Sequence, residues 1–161
     1  MIVEAWRLVK TRYLAGAFDG KGAREFGGRW NSPGVAVVYL AESLALAALE
    51  VLVHLHDTSP LPAYSAIPVR FDARLVKTLA ARDLPGNWRA SPPPADLRAL
   101  GDAWARGMKS PLLAVPSAVV ETERLFLLNP VHPGFRRVRT GRPQPFAMDA
   151  RPVRPATKSS Y

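Results

Sequence analysis

Thirteen residues, Ser43 to Leu55, read SLALAALEVLVHL, apolar on nearly every helical face but carrying one carboxylate, Glu50. A helix without a polar side belongs inside a protein, so the chain must build layers around it. Ser43 suits the N-cap, and the run Asp57-Thr58-Ser59-Pro60 predicts its end. Glu50 shares a helical stripe with Ser43, Ala47 and His54. A carboxylate there must be paired, protonated or placed at a wet cleft. Two readings stand: a structural ion pair with an arginine, or a group facing a ligand for which small Ala47 leaves room.

The surrounding pattern predicts the layers. Residues 2–9 read as an opening strand, and Val35–Leu40 as a β-branched strand bounded by Gly34. Tyr64–Phe71 reads as a strand that Pro68 confines to an edge or a bulge. Residues 112–115, 118–120 and 126–128 are short strand candidates, with a last one at Phe146–Asp149. Leu97–Met108 is helical, with Leu97, Leu100 and Trp104 on one face. Phe18–Gly22, Asp83–Trp88 and Ser91–Pro94 are turns or loops. Without repeats or regular βαβ alternation, the fold class is α+β, a compact mixed sheet with a few helices.

At 161 residues the chain is expected to form one domain, 1–151, with a disordered basic tail at 152–161. There is no cysteine, hence no disulfide or thiolate metal site, as in a reducing cytoplasm. No basic leader with an apolar core opens the sequence, and the longest apolar run, Leu44–Leu49, is too short for a bilayer. His54, His56 and His132 lack metal-ligand spacing, so no metal is expected. Of the net charge of +9, most lies in residues 136–161, where seven Lys/Arg face one acid, Asp149. Such an end binds an acidic partner or stays solvated. Aromatic residues are not interleaved with it, as a nucleic-acid stacking platform needs, so direct DNA binding is not expected.

The candidate chemistry gathers in Phe26-Gly27-Gly28-Arg29-Trp30-Asn31-Ser32-Pro33-Gly34. Glycines strip side chains from around Arg29, so a ligand can reach the backbone, and a guanidinium fork matches phosphate oxygens. Alone, the run is also a Gly-rich hairpin with an exposed arginine. Tyr39 lies in a strand expected to be central, four residues before the apolar helix; alone it reads as a core tyrosine. Ser117 is a hydroxyl among apolar residues with no nucleophile elbow around it, and Asn129-Pro130 is by itself a turn signal.

Taken together, in order, Arg7, Phe18–Ala23, Gly27-Gly28-Arg29-Trp30-Asn31, Val38-Tyr39, Ala48–His54, Gly101-Asp102-Ala103-Trp104, Val115–Val120 and Leu128-Asn129-Pro130 with His132-Pro133 resemble the RES-domain family, from about Arg7 to Arg151. The resemblance implies a bacterial toxin similar in fold to ADP-ribosyltransferases. Such toxins consume NAD by phosphorolysis or transfer ADP-ribose to a protein, and an Xre-type helix-turn-helix antitoxin restrains them. NAD and inorganic phosphate would be substrates, with no tightly bound cofactor. By the same resemblance Arg29 would grip the pyrophosphate or the attacking phosphate, Tyr39 would pack on the nicotinamide or its ribose, and Glu50 would orient that ribose. Ser117 would hydrogen-bond in the same pocket. Arg7, Gly28, Trp30, Asn31 and Asn129 would add contacts to NAD. Two positions depart from the family's pattern: Asp19 stands where serine is frequent, and Leu125 stands where asparagine is common; the second alters the expected pocket wall, and position 125 is given no polar role.

The chemistry is consistent on its own terms. Breaking the nicotinamide–ribose bond develops a cationic, oxocarbenium-like centre that a carboxylate stabilises most in the transition state. The ring leaves neutral, so no nucleophilic side chain is needed. NAD glycohydrolysis on the same pocket and a non-enzymatic basic nucleic-acid-binding domain are the alternatives.

Overall fold

A computed structural model of the chain describes residues 1–55 and 61–149. The turn expected at 57–60, His56 and the tail from 152 lie outside them.

Strand β1 (Ile2–Lys10) runs antiparallel to β3 (Tyr64–Asp72) in unbroken register from Ile2↔Asp72 to Lys10↔Tyr64. On the other side, β2 (Val38–Ala41) pairs with β6 (Arg124–Leu128), β6 with β5 (Leu112–Pro116), and β5 in parallel with β4 (Val76–Thr78). The two halves meet at β1 and β2, which share a single register pair, Trp6↔Ala41. With β7 (Arg139–Thr140) on the far side of β3, the mixed sheet, ordered β4-β5-β6-β2-β1-β3-β7, therefore has a seam at its centre. Arg7 lies in that seam, its Nε donating to the Ala17 carbonyl at 3.0 Å and Nη1 to the Tyr39 carbonyl at 3.4 Å.

Helices α1 (Lys21–Phe26), α2 (Leu44–Leu52) and α3 (Ala95–Gly107) complete the fold, which is α+β as expected. Period-two alternation divides the core. Leu113, Val115 and Leu127 join Trp30, Leu46 and Trp104 on one face, while Leu112, Ala114, Phe126 and Leu128 pack with Phe71 on the other. Strands β5 and β6 are covered on both faces, which is why they read as continuous apolar runs. Among the described residues no helix is long and apolar enough to cross a membrane.

Several expectations are corrected. Helix α2 is not wrapped on all sides: Leu46, Ala47 and Leu52 are buried, but Leu49 and Val53 face out, and the helix stops at Leu52. The Ser43 cap is present, its hydroxyl accepting from the Leu46 amide at 3.0 Å. Strand β3 is not an edge, since β7 (Arg139–Thr140) and β8 (Gln144–Phe146) pair with its outer side. Pro68 falls between their registers, where its missing N–H breaks no ladder bond, and its carbonyl accepts from Gly141 at 2.7 Å. Residues 118–120 form a bend instead of a strand, β2 begins at Val38, and α1 begins at Lys21, so only Phe18–Gly20 of the loop expected at Phe18–Gly22 stay outside a helix. On α3 the inward residues are Leu97, Gly101, Asp102, Trp104 and Ala105, with Leu100 at the surface.

Candidate active site

The seam opens into a cavity of about 770 Å³ lined by Arg7 from β1, Arg29 from the glycine-rich loop, Tyr39 from β2 and Glu50 from α2. That volume is in the range of small-molecule sites. Ala47 also lines it, one helical turn before Glu50, and Leu125 forms part of an apolar wall.

The guanidinium of Arg29 is used on one side only. Its Nη1 donates to the carbonyls of Trp88 and Ala90, both at 2.9 Å. Among the described residues, Nε and Nη2 have no protein partner, so the anchored group keeps a side-on pair of donors, the geometry that binds phosphate bidentately. Burial lowers the Arg29 pKa from its usual value, and Glu50 and Tyr39 act in the opposite direction. Arg29 and Glu50 thus feel one another across the cavity without forming an ion pair within 4 Å. Arg7 is similarly desolvated, with Asp19 only partly offsetting the effect, and no carboxylate bonds to it. An anion would complete the site of either arginine.

Glu50 is half-buried, and its Oε1 accepts from the Ser117 hydroxyl at 2.8 Å. Ser117 is fully buried and does not line the cavity; it acts on the pocket through Glu50. Its Oγ accepts from the amides of Val119 and Val120 at 3.0 and 3.1 Å. With both lone pairs engaged, its one proton is directed at Glu50. The second oxygen of Glu50 has no partner among the described residues and is available to a ligand.

Tyr39 presents a ring, not a titrating group. Its hydroxyl donates to Asn31 Oδ1 at 2.7 Å and accepts from the Trp30 amide at 3.2 Å, and burial holds its pKa well above the usual phenol value. A Cβ on Gly28 would lie 2.7 Å from that hydroxyl, so the missing side chain makes room for Tyr39 and not, as expected, for a ligand. Asn31 is buried and lies behind the cavity, donating to the Ala23 and Val35 carbonyls at 2.8 and 3.0 Å. Trp30 and Gly28 line the cavity, and the Trp30 indole N–H is buried without a partner. Asn129 is elsewhere: it holds the end of α3 through the Ala105 carbonyl at 2.9 Å and accepts from Val131 at 3.1 Å, a turn-forming role.

Sequence reasoning missed the supports. Arg98 donates to the Gly28 carbonyl at 3.0 Å, and Asp102 accepts from Ser32 at 2.9 Å, so α3 braces the Arg29 loop from behind. Their signal was present in Asp102, an acid on the inward side of α3. Arg89 also lines the cavity, as does His54, whose Nδ1 lies 2.7 Å from the Glu50 carbonyl. Because a carbonyl only accepts, that nitrogen carries the hydrogen.

The profile of the RES domain matches residues 4–149. "Toxin Res" of Yersinia enterocolitica is 41% identical over 147 residues, covering 91% of this chain and 97% of the relative. The "Prs ADP-ribosylating toxin" of Sphingobium sp. is 36% identical over 161 residues, covering 97% and 100%. Among solved structures, the Mycobacterium tuberculosis MbcT-MbcA toxin-antitoxin complex contains a chain of similar fold, with TM-score 0.72 at 20% identity, covering 91% of this chain and 85% of that one. With that profile spanning nearly the whole chain and relatives of this identity, the chain belongs to the RES domain family.

Proposed function

We propose that the chain is the toxin of a toxin–antitoxin pair and that it cleaves NAD by phosphorolysis. The observation that carries the reading is the composition of the cavity wall: Arg7 and Arg29, neither bonded to a carboxylate, together with one carboxylate, Glu50. A dinucleotide brings a pyrophosphate and the acceptor brings a second anion, which an arginine-rich wall suits. Water or a protein side chain would need a base to take its proton. Phosphate arrives already anionic, so a single carboxylate is free to stabilise the ribose.

In this reading the C1″–N bond of NAD breaks, its electron pair stays with the nicotinamide nitrogen, and a phosphate oxygen bonds to C1″. The products are nicotinamide and ADP-ribose 1″-phosphate. Glu50, aimed by the hydrogen bond it accepts from Ser117, opposes the positive charge developing on the ribose. The free donors of Arg29 hold phosphate oxygens, and the Tyr39 ring packs on the nicotinamide ribose. Arg7 adds a second cation in the seam. The names of the relatives and the toxin–antitoxin neighbour support an antitoxin partner, which we place in the Xre helix-turn-helix class; we place the reaction in the cytoplasm, where NAD and phosphate are found.

Protein ADP-ribosylation is a second reading, favoured by the Sphingobium relative's name and by Phe26 and Val53, which stand 78% and 55% exposed at the cavity where a protein acceptor could seat. Incubating the purified chain with NAD, with and without inorganic phosphate, separates the two. Nicotinamide release that depends on phosphate and yields ADP-ribose 1″-phosphate supports phosphorolysis. Phosphate-independent release with label on protein overturns it.

A further inference from the structure

The segment around Trp88–Ser91 crosses between the two walls of the cavity. Trp88 is buried in the core, and Arg29 Nη1 takes the carbonyls on either side of Arg89, those of Trp88 and Ala90. Arg89 itself reaches the opposite wall. Its Nε and Nη2 both donate to the Ala118 carbonyl, at 3.2 and 3.1 Å, and Nη1 bonds Glu121 at 2.9 Å. Ala118 sits between Ser117 and the Val119 and Val120 amides that hold the Ser117 hydroxyl. An unbroken path thus runs from Arg29 through the 88–90 backbone, Arg89 and the 118–120 turn to Ser117 and Glu50.

We infer that Arg89 is a positioning residue that couples the cation wall to the carboxylate wall and so sets the orientation of Glu50 when Arg29 is engaged. Both partners of the Arg89–Glu121 pair are about half exposed, at 47% and 58%, and an ion pair so solvated adds little to stability. What the guanidinium provides is geometry: two parallel donors on one carbonyl fix the turn in a plane, which a lysine ammonium cannot do. The inference rests on the reading of Glu50 as the carboxylate of NAD cleavage, and its test keeps the two apart.

The experiment compares wild type, Arg89→Ala, Arg89→Lys, Ser117→Ala and the double variant Arg89→Ala/Ser117→Ala by nicotinamide release. Amide hydrogen exchange at Val119 and Val120 is measured on the same proteins. Both Arg89 variants are expected to lower kcat about tenfold with KM for NAD within about threefold, because the carboxylate is misaimed while binding is kept. The double variant should be no slower than Ser117→Ala alone, since both act through one path. Exchange at the two amides should accelerate in Arg89→Ala, a readout independent of turnover. Wild-type activity in Arg89→Lys, a raised KM at unchanged kcat, additive losses or unaltered exchange each overturn the inference. A wild type that releases no nicotinamide overturns the catalytic reading instead, and exchange still decides whether Arg89 holds the turn.

Discussion

The loop that carries Arg29 and the helix that carries Glu50 face one cavity and are held in contrasting ways. The loop is stitched from several directions. Asn31 ties it to Ala23 and Val35, the Tyr39 hydroxyl meets both Trp30 and Asn31, and α3 adds Arg98 and Asp102. Helix α2 is capped by Ser43 and packed by one face, and the carboxylate of Glu50 rests on a single hydroxyl. A binding wall must hold a flexible, highly charged ligand in one place, which favours a rigid frame. A group that acts only as charge develops needs correct aim but little support of its own. The contrast predicts that damage to the loop appears in stability and KM, and damage at Glu50 in kcat.

The largest effect is expected at Glu50. Replacing it with glutamine keeps the shape and the acceptor for Ser117 but removes the charge. Turnover should fall about 10³-fold, on the order of 4 kcal/mol of transition-state stabilisation, with the melting temperature and the KM for NAD little changed. Arg29→Lys should do the reverse in emphasis, raising KM more than it lowers kcat, because a lysine lacks both the free pair of donors and the grip on the 88 and 90 carbonyls. If steady-state kinetics show Glu50→Gln acting mainly on KM, the division of labour is wrong.

Next in size is Gly101→Ala. In a helix interior this change ordinarily stabilises by about 1 kcal/mol. Here a Cβ would stand 1.7 Å from the Trp30 carbonyl oxygen, so α3 and the Arg29 loop cannot both keep their places. The expected outcome is a loss of about 3 kcal/mol in urea unfolding, the opposite sign to the propensity rule. A neutral or stabilising result would show that the loop has slack, and would sharpen the comparison by moving the rigidity from α3 to Asn31 and Tyr39.

How much of this was legible in the sequence depends on whether a residue's partner is local. The Ser43 cap, β1 and α3 follow from spacing within a few residues, and they are present. The seam is not readable, because it arises from β1 and β2 diverging after one pair, Trp6↔Ala41. The apolar surround of Glu50 suggested all-round burial. Composition alone could not reveal that one side of α2 forms the mouth of a cavity and so keeps Val53 exposed. Pro68 looked like an edge signal because the gap between β7 and β8 is a tertiary fact. Nothing close in sequence to Arg89 or Arg98 marks their carbonyl partners, 29 and 70 residues distant. Asn129 was better read locally: its turn signal describes what it does, accepting from the Val131 amide.

The smallest predicted effect tests whether the loop's frame depends on a neutral phenol. Tyr39 ionises near pH 10 in an unfolded chain, and burial raises that value in the folded one. Below pH 10 both states hold the proton and the phenol contributes fully. As pH rises above 10, the unfolded chain releases the proton while the folded chain keeps it, so stability falls, by at most about 1.4 kcal/mol per pH unit for this group. Tyr64, also raised by burial, adds a slope of the same sign. Tyr39→Phe should cost about 1 to 2 kcal/mol at neutral pH, because the Trp30 amide and Asn31 Oδ1 lose their partner. The same variant should decline less steeply than wild type in urea unfolding above pH 10, with the Tyr64 contribution remaining. Parallel slopes for the two proteins would mean that the Tyr39 hydroxyl is open to solvent often enough to ionise in place, and the loop wall would then be no more rigid than the helix it faces.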